Sequence, residues 1–121
     1  MKIIIAGSRG ITKISTLNKT VDRLLWINPK FFDHLSAIIS GTANGVDKLG
    51  EQWAQFNSIP VIKMPADWNT HGKAAGPIRN AAMAEIADFA IILWDGSSPG
   101  TLNMLQNMQK LNKPYFLDIQ T

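Results

Sequence analysis

The chain has 121 residues, enough for one domain and too few for two independent cores, which excludes a multidomain enzyme with a separate substrate domain. Its 45% of hydrophobic and 17% of charged residues are typical of a globular protein, and the lack of cysteine excludes a disulfide framework, a thiolate nucleophile and a cysteine zinc site. The formal net charge of +3 comes from 12 basic and 9 acidic residues, and the basic ones are scattered, so they give only a modest attraction for anions.

The first half of the chain predicts two strands and two helices in alternation. Lys2–Ala6 is an unalternated, isoleucine-rich run, as in a strand buried on both faces. A helical face follows and stops before Pro29; its apolar residues are Ile14, Leu17, Val21, Leu24 and Leu25. Ala37–Ser40 predicts the second strand, and the next helix carries Val46, Leu49, Trp53 and Ala54.

The second half predicts three more strands. Pro60–Met64 is the third, and a long loop leads to a helix in which Pro77 occupies the first turn and which runs to about Ala87. Phe89–Trp94 predicts the fourth strand and Pro114–Leu117 the fifth. The helix between them has its apolar positions at Leu102, Leu105, Met108 and Leu111.

This alternation is typical of right-handed βαβ units. We therefore predict a single domain over residues 1–121, an α/β Rossmann-like three-layer sandwich with a mostly parallel sheet of about five strands. In such sheets ligands bind beyond the carboxyl ends of the strands, where the strand order reverses.

Three of the loops that follow strands are rich in glycine: AGSRG, SGTANGVD and DGSSPGT. Glycine allows a close backbone approach, and a helix start beyond it favours phosphate, so three such loops at one edge indicate nucleotide binding; tight-turn chemistry is the alternative. None matches the dinucleotide-binding fingerprint of dehydrogenases or the phosphate-binding loop of ATPases, which disfavours both classes of enzyme.

The long loop PADWNTHGKAAGPIRNAAM offers further ligand-bonding groups, or it is a solvated surface loop. Its candidates are Asp67, Trp68, Asn69, His71, Arg79 and Asn80. Trp68 and Trp94 could stack on a base or pack, whereas Trp26 and Trp53 are interpreted as core or subunit-contact residues. Asp47 complements a helix dipole or binds a ribose hydroxyl.

The order GSR, SGTANGVD, PADW with HGKAAGPIRN, and DGSSPGT resembles the YpsA-related branch of the SLOG superfamily, whose relatives include the Lonely Guy phosphoribohydrolases and DprA. The resemblance covers nearly the whole chain. It implies a Rossmann-like domain that binds nucleotides or molecules derived from them, in bacterial and phage conflict systems. The family's motifs fall on Gly7, Ser8, Arg9, Ser40, Gly41, Gly45, Asp47, Arg79, Gly96, Ser97, Gly100 and Thr101.

One departure concerns catalysis. The last loop of Lonely Guy enzymes carries a glutamate that helps to cleave an N-glycosidic bond, and here GSSPGTLNM places Met104 at that position. A thioether cannot move a proton or stabilise an oxocarbenium ion, so activity by that route is in doubt.

The leading hypothesis is therefore a protein that binds a nucleotide-derived small molecule, of ADP-ribose or cyclic-nucleotide type, as a sensor or sequestering protein. The alternative is an N-glycosidic hydrolase of nucleoside monophosphates that uses Asp47, Asp67 or Asp95. The complete set of predicted ligand-binding residues is Gly7, Ser8, Arg9, Ser40, Gly41, Thr42, Gly45, Asp47, Asp67, Trp68, His71, Arg79, Asn80, Trp94, Asp95, Gly96, Ser97, Gly100 and Thr101.

No metal and no cofactor are predicted, since His34 and His71 lie in segments expected to be apart. Binding of single-stranded DNA, as in DprA, is a third and disfavoured hypothesis. No apolar run approaches the roughly 18 residues of a membrane helix, and the N-terminal run is too short for a signal peptide, so we expect a cytoplasmic protein without membrane association. A homodimer or higher oligomer is expected, because a small sheet domain has limited means of covering its large apolar side chains.

Overall fold

Five parallel strands in the order β3-β2-β1-β4-β5 form the centre of the fold. The computed structural model describes residues 1–120. The strands are β1 (Lys2–Gly7), β2 (Ala37–Ser40), β3 (Val61–Lys63), β4 (Phe89–Trp94) and β5 (Tyr115–Ile119). The helices are α1 (Ile14–Ile27), α2 (Val46–Phe56), α3 (Trp68–His71), α4 (Ala75–Ile86) and α5 (Pro99–Lys110), with a 3-10 turn at Gly72–Ala74.

The isoleucines of β1 supply both faces of the sheet, because successive side chains of a strand point to opposite sides. Ile3 and Ile5 pack in one apolar cluster with α1 and α2. Ile4 and Ala6 pack in a second cluster with α4 and α5. This arrangement confirms the predicted three-layer Rossmann-like fold, in which β1 is the middle strand.

The segment after β3 differs from its prediction. It contains α3 and a 3-10 turn where an irregular loop was expected, whereas α4 begins at Ala75 and ends at Ile86, so Pro77 lies in its first turn as predicted. Pro77 is tolerated as the third residue of α4 because the first N–H groups of a helix have no partner within the helix. Asp67 caps α3, since its Oδ1 accepts from the Thr70 N–H at 3.1 Å.

Smaller corrections concern the edge strands and one tryptophan. β3 is shorter than predicted, and β5 begins and ends later. Trp26 is 89% exposed and is therefore not a core residue of the chain. Trp53 is half-buried and packs on Phe32, with 5.2 Å between ring centroids. Within residues 1–120, no helix is long and apolar enough to span a bilayer.

Candidate functional site

The site lies where the strand order reverses, at the carboxyl ends of β1 and β4. These strands are neighbours, but the chain leaves β1 for the face that holds α1 and leaves β4 for the face that holds α5. A cavity of about 670 Å³ opens between the two loops. Its volume lies within the range of small-molecule sites.

Ten of the predicted residues line this cavity: Gly7, Ser8, Arg9, Asp47, Trp68, Arg79, Asn80, Asp95, Gly100 and Thr101. Nine others do not: Ser40, Gly41, Thr42, Gly45, Asp67, His71, Trp94, Gly96 and Ser97. Most of the second set hold the loops that carry the first, as the contacts below show.

The turn after β1 is fastened to β4. A Cβ on Gly7 would lie 2.0 Å from the carbonyl oxygen of Leu93, so only glycine allows this approach of the two strands. The buried Ser8 donates its N–H to the same oxygen at 3.0 Å, and its Oγ accepts from the Asp95 N–H at 2.9 Å. The exposed Arg9 is thereby carried to the mouth of the cavity.

The loop after β2 is stabilised by hydrogen bonds to the side chain of Ser40, the last residue of β2. Ser40 Oγ donates to Glu51 Oε2 at 2.6 Å and accepts from the Thr42 N–H at 3.1 Å. Gly45 has a φ of 81°, and a side chain there would lie 2.4 Å from the carbonyl oxygen of Ser8. These residues join the second loop to the first and leave Asp47, at the start of α2, facing the cavity.

Asp47 is an almost fully buried carboxyl group, only 5% exposed. Its Oδ2 accepts from the Ala43 N–H at 3.1 Å, and within residues 1–120 it forms no ion pair. Burial raises the pKa of Asp47 from 3.8 to about 6, although the Ala43 N–H and the nearby charge of Arg79 oppose that rise. Asp47 can therefore hold or release a proton near neutral pH.

Arg79 crosses from α4 to the second loop. It donates from Nη1 to the carbonyl oxygen of Gly41 and from Nε to Asn80 Oδ1, the latter at 3.0 Å. Burial lowers the pKa of Arg79, which Asp47 opposes and the neighbouring cation of Arg9 reinforces. Two guanidinium groups thus lie close enough to influence each other at one cavity.

Asp95 has the opposite environment to Asp47. Its Oδ1 accepts from the Ser97 and Ser98 N–H groups at 2.9 and 2.8 Å, and its Oδ2 from Ser98 Oγ at 2.8 Å. These bonds hold the pKa of Asp95 well below its usual range. Asp95 is therefore an ionised brace that positions the start of α5.

The two tryptophans proposed for stacking differ in position. Trp68, 53% exposed, lines the cavity and faces Gly76 in the first turn of α4, where a Cβ would lie 3.6 Å from Cη2 of the ring. Trp94 donates from Nε1 to the carbonyl oxygen of Ser98 at 3.0 Å and braces the loop before α5. The bonds of Trp94 are those of a packing residue.

Other residues of the lining escaped the sequence analysis, notably Lys73, Met83, Ser98 and Asn103, whereas Met104 lines the cavity at the position where the resemblance implies a catalytic glutamate. Met83 and Met104 are each 1% exposed, and their helical spacing indicates only core packing. Asn103 lies one helical turn after Pro99 of the third glycine-rich loop. A residue one turn into a helix can lie beside the loop that precedes it, and this spacing could have indicated Asn103 as a site residue. Within residues 1–120, no group of three His, Asp or Glu side chains could hold a metal ion.

Comparison with known proteins gives two matches. The family model described as "YspA, cpYpsA-related SLOG family" matches residues 1–71. The "Gene 61 protein" of Mycobacterium phage D29 is 34% identical over 84 residues, which cover 64% of this chain and 66% of that protein, just under two thirds of its length. No solved structure matches the chain.

Proposed function

Because the chain belongs to the YspA, cpYpsA-related SLOG family, we propose that it binds a nucleotide or a nucleotide-derived small molecule at the carboxyl edge of its sheet. Membership of this family suggests a nucleotide-related function. We further propose that the ligand is of ADP-ribose or cyclic-nucleotide type, and that the protein acts in the cytoplasm as a sensor or sequestering protein of a conflict system. The similarity to a phage protein is consistent with such a role.

The observation that carries this proposal is the excess of basic side chains in the cavity lining, which holds three of them beside the acidic Asp47 and Asp95. Arg9, Lys73 and Arg79 line it together with the first residues of α5. Guanidinium groups and the N-terminus of a helix both favour phosphate. Met83, Met104 and Trp68 supply the apolar part of the lining, which suits a sugar or a base.

Calorimetric titration against nucleoside monophosphates, ADP-ribose derivatives and cyclic nucleotides tests the proposal. We expect at least one of them to bind with one ligand per chain. A folded sample that binds none of these compounds would contradict it.

Asp47 favours a second candidate function, the hydrolysis of an N-glycosidic bond in a nucleoside monophosphate. The side chain and the N–H of Thr70 lower the pKa of Asp67, and the N–H groups of Ser97 and Ser98 lower the pKa of Asp95. Among the three aspartates considered, only Asp47 both lines the cavity and has a raised pKa. A protonated Asp47 would give its proton to the leaving base while the bond from C1′ to nitrogen breaks. Water would then add at C1′ and pass one proton to the Asp47 carboxylate, which restores the acid. Met104, buried where related enzymes carry glutamate, cannot take this role.

Release of free base from nucleoside monophosphates distinguishes the two candidates. We expect any release to be lost in Asp47→Asn and retained in Asp22→Asn, which removes an exposed carboxylate of α1. The absence of release at high protein concentration would exclude hydrolysis of the compounds tested and leave binding as the function.

We also propose that the protein is a homodimer or higher oligomer. Trp26 and Phe56, at the ends of α1 and α2, are each 89% exposed, and Ile27 beside Trp26 is 70% exposed. Such large apolar side chains are usual at subunit contacts. Sedimentation at tens of micromolar protein should show an oligomer that Trp26→Ala with Phe56→Ala dissociates, while Ile78→Ala on the opposite layer leaves it intact; a monomeric wild type would contradict this.

A further inference from the structure

A chain of side-chain hydrogen bonds runs from Arg79 along the interface of α4 and α5. Arg79 Nε donates to Asn80 Oδ1 at 3.0 Å. Asn80 Nδ2 then donates to the carbonyl oxygen of Gly100 and to Asn103 Oδ1, both at 3.1 Å. Asn80 is buried, so this chain is shielded from water along part of its length.

The direction of every bond in this chain is fixed by its neighbours. A guanidinium group can only donate and a backbone carbonyl can only accept, so Asn80 has its oxygen towards Arg79 and its nitrogen towards Gly100. Asn107 Nδ2 donates to the backbone carbonyl of Asn103 at 2.9 Å, which likewise identifies that atom as nitrogen, and it lies 3.2 Å from Asn103 Oδ1. Two donors therefore meet one side-chain atom of Asn103, and that atom must be its oxygen.

The amide nitrogen of Asn103 is consequently the free end of the chain. In the portion of the chain that the structure describes, Asn103 accepts hydrogen bonds and its amide nitrogen donates none. No fully buried side-chain nitrogen or oxygen there lacks a partner, so this nitrogen is accessible to solvent, and Asn103 is a half-buried residue of the cavity lining. Rotation of the amide would set its own nitrogen against the donors of both Asn80 and Asn107, so the group cannot turn to offer its oxygen to a ligand.

We propose that Asn103 is a specificity-determining residue, which presents a fixed hydrogen-bond donor and selects ligands that place an acceptor oxygen there. This inference rests on the proposed nucleotide binding. The oxygen belongs either to a carbonyl group of the base or to a phosphate. An exocyclic amino group at the same point would face a donor and leave both groups unpaired.

Inosine and adenosine 5′-monophosphates test this selection, because they carry a carbonyl and an amino group at the same purine position. Wild type should bind the inosine compound about tenfold more tightly if the base faces Asn103, as expected for one matched donor and acceptor. In Asn103→Asp, the carboxylate still accepts from Asn80 and Asn107 but no longer donates, so the preference should reverse. Gln106→Glu adds the same charge at an exposed position of α5 and should leave the preference unchanged.

A phosphate oxygen at Asn103 would give a different supporting result. Asn103→Asp would then weaken the binding of both nucleotides about tenfold or more, because the donor is lost and the two anions repel each other. The ratio of the two affinities would stay unchanged, and Gln106→Glu would not weaken binding. Affinities in Asn103→Asp within twofold of wild type for both nucleotides would overturn the inference. A wild-type preference for the adenosine compound would exclude a base carbonyl at Asn103, and the inference would then be overturned unless Asn103→Asp weakened the binding of both nucleotides. The wild-type ratio needs no variant, and thermal melting shows whether Asn103→Asp folds. Failure of wild type to bind either nucleotide would remove the inference, and failure to bind any compound of the wider panel would remove the proposed function as well.

Discussion

Alanine at position 79 should weaken nucleotide binding by roughly 2–3 kcal/mol, about thirty- to a hundredfold, because the cavity loses a charge-assisted donor to the ligand phosphate. Arg79 also donates to the carbonyl oxygen of Gly41, so the thermal transition should fall by a few degrees. Titration calorimetry and thermal melting of the same variant measure the two effects. Arg79→Lys should recover only part of the affinity, since an ammonium group keeps the charge and loses the planar fork.

The matched control for this experiment is Arg23→Ala. Arg23 lies on α1, pairs with Asp118 and takes no part in the cavity lining, so its loss should lower stability and leave affinity unchanged. The hydrogen bonds of Arg79 go to the carbonyl oxygen of Gly41 and to Asn80 Oδ1, so a purely structural role for Arg79 would act through the second loop. If Arg79→Ala reduced stability without changing affinity, Arg79 would only stabilise the second loop and would not be a ligand-binding residue.

Replacement of Asp47 by asparagine should stabilise the folded protein by about 2–3 kcal/mol at pH 8, the free energy that corresponds to the raised pKa of the buried carboxyl group. The folded pKa of about 6 lies above the unfolded value of 3.8, so the folded state binds the proton more tightly. The contribution of Asp47 to the free energy of unfolding is fully present below about pH 4. It is lost as the pH rises through 6, because the buried carboxyl group then ionises. Asparagine carries no such charge and can still accept the Ala43 N–H, so its advantage should be largest at pH 8 and shrink towards pH 4. Urea denaturation at both pH values measures the difference.

Asp22→Asn is the control for the loss of one negative charge, because Asp22 is exposed on α1. It should change the free energy of unfolding little at either pH. If Asp47→Asn destabilised the protein at pH 8, the ionised carboxylate would be held by Arg79 and would not be a proton donor. A stabilising change that also removed a function would identify Asp47 as a residue kept at the expense of stability.

Much of the fold could be predicted because its central strands are short apolar runs without alternation. β2 and β4 have the predicted bounds, and β1 extends by one residue to Gly7. Pro77 indicated the first turn of α4 but not the exact residue at which the helix begins, since proline is allowed at several positions of a first turn and tertiary packing decides among them. The shorter α3 depends on the Asp67 cap, which a single sequence does not distinguish from an ordinary loop aspartate.

The position of the candidate site followed from the rule that loops meet at the carboxyl edge of a parallel sheet. The roles of individual residues did not follow. Asp47 and Asp95 both belong to glycine-rich loops that follow strands, yet burial raises the pKa of Asp47 and N–H donors lower the pKa of Asp95. Asn103 and Met83 lie within helical segments, where the sequence indicates packing. Nucleotide binding by these residues stays a prediction until ligand titration.

The middle position of β1 also governs when the protein becomes able to hold a ligand. During synthesis, β1 can pair with β2 early, but its other edge and the face that carries Ile4 wait for β4 and the last two helices. Pairing between segments so distant along the chain is slow and leaves apolar surface open to chaperones or aggregation in the meantime. Arg79 and Asn103 arrive with that later half, so a nascent chain has no complete cavity. A ligand that recognises only the finished cavity would then shift the balance towards the folded protein in proportion to its concentration.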